Sequence, residues 1–216
     1  MPLSMRFAVA TWLLVACGPP PPTRQVPADY PGELSPPSAL RSPGLGEAFA
    51  LEQRVRSSSS QGTYEFRAIM QRQGDTLIVV GLGPHGGRGF VLTQRGQEVE
   101  FESHLPQELP FPPRYMLIDI HRAWFMGLEG PREDGVHREE HRGEEIVERW
   151  EGGLLRERTF RRVDGEPGGT IRVTYEPGLG GAEPPREVTL ENGWFGYTLT
   201  ITTLSHQRIE ATGAEE

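Results

Sequence analysis

His137-Arg138-Glu139-Glu140-His141 sets two imidazoles and a carboxylate at the H-x-x-E-H spacing that some zinc hydrolases use. On a helix the two histidines would share a face with Glu140 beside His141, and that arrangement can bind zinc. A zinc site also needs a third ligand and a packed helix to hold it. Here Gly135 and Gly143 bracket the segment, and Val136 and Ile146 are its only apolar residues, so it reads as a solvated charged loop. Gly81-Leu82-Gly83-Pro84-His85-Gly86 matches the dinucleotide fingerprint letter for letter. That fingerprint requires a helix directly after it, because the helix N-terminus receives the pyrophosphate. Gly87, Gly89 and the strand-like Phe90-Val91-Leu92-Thr93 follow instead, which predicts a glycine hairpin. Glu98, Glu100 and Glu102 point one way along a strand, whereas calcium loops wrap their oxygens around a turn. No Gly-x-Ser-x-Gly elbow is present, and no Ser, His and Asp set has a nucleophile's context. The reading is a non-enzyme with no metal and no cofactor.

One residue keeps a chemical role. Cys17 is the only cysteine, and it follows Arg6, the apolar run Phe7 to Val15, and the small residue Ala16. A positive residue, a short apolar core and a small residue at the cut are the parts of a secretory signal. The run is about half the ~20 residues that a membrane-spanning helix needs. Leu14-Val15-Ala16-Cys17 resembles the bacterial lipobox, in which cleavage precedes a cysteine whose thiol is acylated. Residues 1–16 are then the signal peptide and Cys17 the lipid attachment point. A single acyl chain anchors marginally, whereas two or more hold stably. Gly18 follows the cysteine where an Asp would signal inner-membrane retention, so the expected location is the periplasmic face of the outer membrane.

Composition narrows the partners. The formal net charge is -8, and all 22 basic residues are arginine. Losing Arg6 with the signal makes the balance one unit more acidic. Such a chain has little with which to neutralise phosphates, which argues against nucleic acid and against electrostatic adhesion to anionic lipid. With one cysteine no internal disulfide can form, so stability must come from the core. Residues 17–46 carry Pro27, Pro31, Pro36, Pro37 and Pro43 and no apolar period, which predicts an extended spacer.

The elements that follow are strands. From Glu47 onward the apolar period is two. Phe49, Leu51 and Val55 alternate with polar neighbours; Tyr64, Phe66, Ala68 and Met70 do so against Glu65, Arg67 and Gln71. Thr76 to Leu82 is apolar on both faces, and Val99 and Phe101 alternate with glutamates. Further strands are predicted over Glu144–Glu151, Leu154–Arg161, Gly169–Glu176 and Glu187–Glu191. The Asn192-Gly193 turn then leads into Phe195, Tyr197, Leu199 and Ile201. Only Arg114–Phe125 has helical spacing, with Leu117, Ile120, His121 and Trp124 on one face and Gly127 as a stop. The domain is read as residues 47–205, followed by an acidic tail at 206–216.

Such a sheet has a broader apolar face than one helix can cover, so it must curl, and part of that face can line a cavity. The predicted wall is Tyr64, Phe66, Met70, Phe101, Leu117, Ile120, Trp124, Tyr197, Leu199 and Ile201. The same side chains could equally form a dry core.

Three stretches carry a family resemblance. They are Phe49-Ala50-Leu51-Glu52-Gln53-Arg54, Pro112 to Ile120 before Trp124, and Val188 to Asn192 with Gly196 to Ile201. They resemble a family of proteobacterial lipoproteins of about this chain's length, known only as a domain of unknown function. Thr198 stands where that family commonly has Arg, and Glu129 to Arg142 is a charged insertion. The family is similar in fold to LolA and LolB, incomplete antiparallel barrels with an apolar cavity and a helical lid. The resemblance implies a mainly β (α+β) fold of that kind and a ligand that is a lipid, an acyl chain or an acylated lipoprotein. Two other readings stand beside it: a scaffold lipoprotein with a closed core, and a metal-dependent hydrolase using His137 and His141.

Overall fold

The computed structural model describes residues 34–83, 86–104, 113–130 and 132–209. Eleven strands form one antiparallel sheet in two meanders. The first runs through β1 (Phe49–Ser59), β2 (Gly62–Gln73), β3 (Thr76–Leu82), β4 (Arg88–Arg95) and β5 (Glu98–Ser103). The second comprises β6 (Gly135–His141), β7 (Glu144–Glu151), β8 (Leu154–Arg162), β9 (Ile171–Leu179), β10 (Glu187–Asn192) and β11 (Tyr197–Arg208). The order across the sheet is β5-β4-β3-β2-β1-β11-β10-β9-β8-β7-β6. The first and last strands therefore meet at the centre, while β5 and β6 are free edges. The barrel is not closed.

The link between the two edges carries the helix α1 (Pro113–Trp124). Its adjacent residues reach opposite ends of the sheet. His121 Nε2 lies 2.9 Å from Gln94 Oε1 on β4, and Arg122 Nη2 lies 2.7 Å from Glu144 Oε1 on β7. Those strands are eight spacings apart, about 38 Å if the sheet were flat. Both can touch one helical turn only if the sheet curls around it.

Period two sets which side chains point inward. Leu51 pairs with Met70, Val55 with Phe66 and with Ile201, and Leu190 with Leu199. Met70, Leu51, Leu190, Leu117 and Trp124 are almost wholly buried. The outer face carries Arg and Glu in cross-strand pairs, such as Arg161 with Glu145 at 2.9 Å and Arg172 with Glu157.

Four expectations are corrected. The spacer was predicted to run to Gly46, yet from Leu34 onward the chain packs on the domain, with Leu34, Leu40 and Leu45 at most 3% exposed. This strap contains a single 3₁₀ turn, Pro37–Ala39, and is clasped by side chains. Arg72 donates to the Leu40 carbonyl, Gln94 Nε2 to the Ser35 carbonyl at 2.9 Å, and His206 Nε2 to the Leu45 carbonyl at 3.1 Å. Secondly, the tail predicted from 206 begins later: β11 continues to Arg208, and Ile209 N–H donates to the Ala48 carbonyl at 2.9 Å. Thirdly, part of the charged insertion is a strand, β6, because its backbone pairs with β7 whatever its side chains do. Fourthly, Thr76–Leu82, whose two apolar faces predict cover on both sides, alternates buried and half-buried positions, so one face of β3 is wetted. Cys17 and the signal lie outside the described residues.

Candidate functional site

The inner surface of the curled sheet differs between its two ends. At the end formed by the β2–β3 and β4–β5 turns, the strap runs along the rim and drops its three leucines into the core. Ser38 fastens it to Asp75, with N–H and hydroxyl both donating to Oδ1 at 3.1 and 2.8 Å. These two hydrogen bonds, the hydroxyl's the larger effect, hold the Asp75 carboxyl below the usual range.

At the opposite end no strap of this kind is present among the described residues. Along β2 the inward positions pass from Tyr64, 64% exposed, through half-buried Phe66 to Ala68 at 4%. Along β11 they pass from half-buried Tyr197 and Leu199 to Ile201 at 6%. Phe101 on β5, with Met116 and Ile120 on α1, is also only partly buried. Phe90 forms the floor. Its ring lies against Gly81, where an added Cβ would stand only 2.1 Å from Cε1. Phe66 and Phe101 each place their ring centroids 5.9 Å from that of Phe90. Gly81 is thus glycine because an aromatic ring occupies its side-chain space.

The helix closes the other flank of this opening. Tyr115 stacks on Phe195 with ring centroids 6.3 Å apart. Asp119 accepts from the Tyr197 hydroxyl, while Asn192 Nδ2 donates to that hydroxyl's oxygen at 3.0 Å. One turn on, buried Arg122 pairs with Glu144 and lies over the Trp194 ring at 4.7 Å. Arg158 pairs with Glu148 at 2.7 Å and donates to the Arg122 carbonyl at 3.3 Å. The Tyr175 hydroxyl donates to the Ala123 carbonyl at 3.0 Å. Burial pushes that phenol up to about 12, so it remains a donor. Orphan carbonyls at a helix C-terminus need such donors, and the buried Glu148 carboxylate also accepts from Trp150 Nε1 at 2.9 Å and Leu128 N–H at 3.1 Å, which offsets its desolvation.

His121 faces the strapped end. Gln94 Nε2 donates to two carbonyls, so its Oε1 must accept, and His121 Nε2 carries the proton. Nδ1 has no partner among the described residues. Burial, with Arg114 adding a smaller repulsion, lowers His121 to about 4, so the ring is neutral.

The ten predicted wall residues therefore divide. Met70, Leu117, Trp124 and Ile201 are core; Phe66, Tyr197 and Leu199 are half-buried at the open end and Tyr64 stands at its lip; Phe101, also half-buried, pairs with Leu92 one row beyond Phe90, and Ile120 is half-buried on α1. Sequence reasoning missed Phe90, Met116, Tyr115 and Phe195, and also the ionic residues beneath the helix. Glu144, Ile146, Glu148 and Trp150 share one strand face, and acids spaced among apolar residues were the available signal.

The decoys resolve locally. Gly81 to Gly86 lies at the β3–β4 hairpin, where Gly83 N–H donates to the Gly87 carbonyl at 2.8 Å; residues 84–85 fall outside the described set. His137 sits on β6 and bonds the Glu133 carbonyl at 2.7 Å. Among the described residues no three His, Cys, Asp or Glu side chains are placed to hold a metal ion.

A family model described as a protein of unknown function, DUF3261, matches residues 50–205. The strap lies ahead of the matched span. No curated protein matches the chain. Among solved structures, a LolA superfamily protein from Nitrosomonas europaea is similar at 17% identity and a TM-score of 0.49, over 81% of this chain and 91% of that one. A domain described as an outer membrane lipoprotein-sorting protein, from Vibrio parahaemolyticus, gives 9% identity and 0.41 over 78% and 87%. A DUF1329 family protein from Desulfovibrio piger gives 12% and 0.39 over 76% and 86%.

Proposed function

The chain belongs to the DUF3261 family, and from its own geometry we propose that it is a non-catalytic envelope lipoprotein whose curled sheet binds an acyl chain or a similar hydrophobic group. The observation that carries this reading is the half-exposed apolar strip at the unstrapped end. A sheet face that merely filled a core would be covered there as it is beneath the strap. Exposed contiguous apolar surface costs solubility and marks a binding surface when it persists. The strip lies on the inner face of the curled sheet and is rich in aromatic side chains, the kind of lining that apolar ligand sites use. Cys17, acylated after cleavage behind Ala16, tethers the domain to the outer membrane in this proposal. Titration of the unlipidated Cys17→Ala chain with a fluorescent fatty acid should give saturable binding. Absence of saturable uptake would overturn the reading.

A second reading has one observation in its favour. The outer face is laced with Arg–Glu pairs across neighbouring strands, such as Arg138 with Glu145 at 3.4 Å and Glu145 with Arg161 at 2.9 Å. A scaffold lipoprotein would contact its protein partner there, and failure of the titration would bring that reading forward.

A further inference from the structure

Resting on the acyl-binding reading, we infer that the open end accepts a single uncharged chain segment of limited length, with Phe90 as the stop. Three inward-facing rows cross the sheet at this end. Tyr197 pairs with Ser59, Leu199 with Ser57, and Ile201 with Val55. On the other side of β1, Ser57 pairs with Tyr64 and Val55 with Phe66. Exposure falls along both strands that flank β1, the β2 run lying one inward row deeper, since Tyr64 and Leu199 are level across Ser57. Tyr64 to Ala68 on β2 and Tyr197 to Ile201 on β11 each span four residues, and both runs end in buried side chains. Four strand residues advance about 14 Å. An extended methylene chain advances about 1.3 Å per carbon from ordinary bond lengths, which leaves room for roughly ten carbons.

Below that level the space is filled. Ala68 and Gly81 are the small residues of their row, and the Phe90 ring occupies the room they leave. Beyond it lie Met70, Leu92 and the strap leucines, all at most 3% exposed, with Phe101 half-buried on the edge strand beside Leu92.

Charge fits the same occupant. At this end the inward positions Ser57, Tyr64, Phe66, Tyr197 and Leu199 are uncharged. Arg54, Arg56, Glu65 and Arg67 stand on the alternate, outward positions of the same strands. A charged group drawn inward would find no counter-ion on these strands, and the nearby carboxylate of Asp119 on α1 already accepts from Tyr197 and Asn192, so the desolvation cost is heavy. The chain must therefore enter tail first.

The test is a length series on the Cys17→Ala full chain. A single dansyl headgroup would carry saturated chains from six to eighteen carbons. Affinity should rise roughly fourfold per methylene, as burial of each CH₂ requires, up to about ten carbons, and then level off. A rise that continues through sixteen carbons would overturn the length limit while leaving acyl binding intact. No saturable binding at any length would overturn both. Phe90→Ala, and the milder Phe90→Leu, should move the break to longer chains in variants whose melting shows them folded. A break that stays put in both would remove Phe90 as the stop.

Discussion

The two ends of this curled sheet are built from the same strands, and they differ in what covers them. At one end a proline-rich strap contributes Leu34, Leu40 and Leu45 and is pinned by Arg72, Gln94 and His206. At the other, Tyr64, Phe66, Tyr197 and Leu199 are left partly in water. The strap forms no strand pairing, so its backbone is held by side-chain donors and its leucines do the packing. Closure of the strapped end is therefore supplied by a segment outside the ladder, and among the described residues the other end has none.

The comparison can be broken hardest at the helix, which both ends share. Trp124 is 1% exposed, and Trp124→Ala should cost about 3–5 kcal/mol, read as a large fall in melting temperature. A negligible shift would mean that α1 does not seal the core. At the strapped end, Leu45→Ala should cost about 2–5 kcal/mol in denaturant unfolding. If Leu45→Ala were neutral, the strap would contribute nothing to closure.

Acid should act on the strapped end through His121. Its folded pKa, about 4, lies below the 6.5 of the unfolded chain, so between those values only the unfolded state takes up the proton. Stability is unaffected by this group above about pH 6.5 and falls as the pH drops, by up to about 3 kcal/mol at pH 4. His121→Gln should flatten that part of the stability–pH curve, and an unchanged curve would refute the assignment. The smallest effect on stability belongs to the open lip. Tyr64→Ser should change stability by no more than about 0.5 kcal/mol, yet weaken acyl binding measurably. A large loss of stability there would mean that the lip is core.

Much of the fold was legible because period two is a strong signal wherever one face is buried. The helix was predicted over Arg114–Phe125 and lies at Pro113–Trp124. What escaped has physical reasons. β6 is an edge strand with no buried position, so its sequence carries no alternation to read. The strap leucines are separated by six and five residues, matching neither a helix nor a strand, and lie among prolines that suggest a spacer. Within α1, Ile120 was expected inward and is only partly buried, whereas Asp119 and Arg122 are buried outright. Arg122 can be buried because Glu144 comes from a strand distant in sequence, and one helix cannot announce its partners. The open end was legible as a set of apolar positions, but which of them water reaches depends on where the strap stops.

The strand order also governs how the protein must be made. The sheet's central seam joins its first strand to its last, and Phe49 finds its partner only when Arg208 has been synthesised. The β1–β5 meander can assemble as soon as it emerges. Until then the inner edge of β1 stays unpaired, and an unpaired edge invites association with other chains. Pairings between such remote segments also form slowly. This topology is safest when β11 is present before the first meander is left waiting, and a chain truncated before β11 would be left with an unpaired edge at the middle of its sheet.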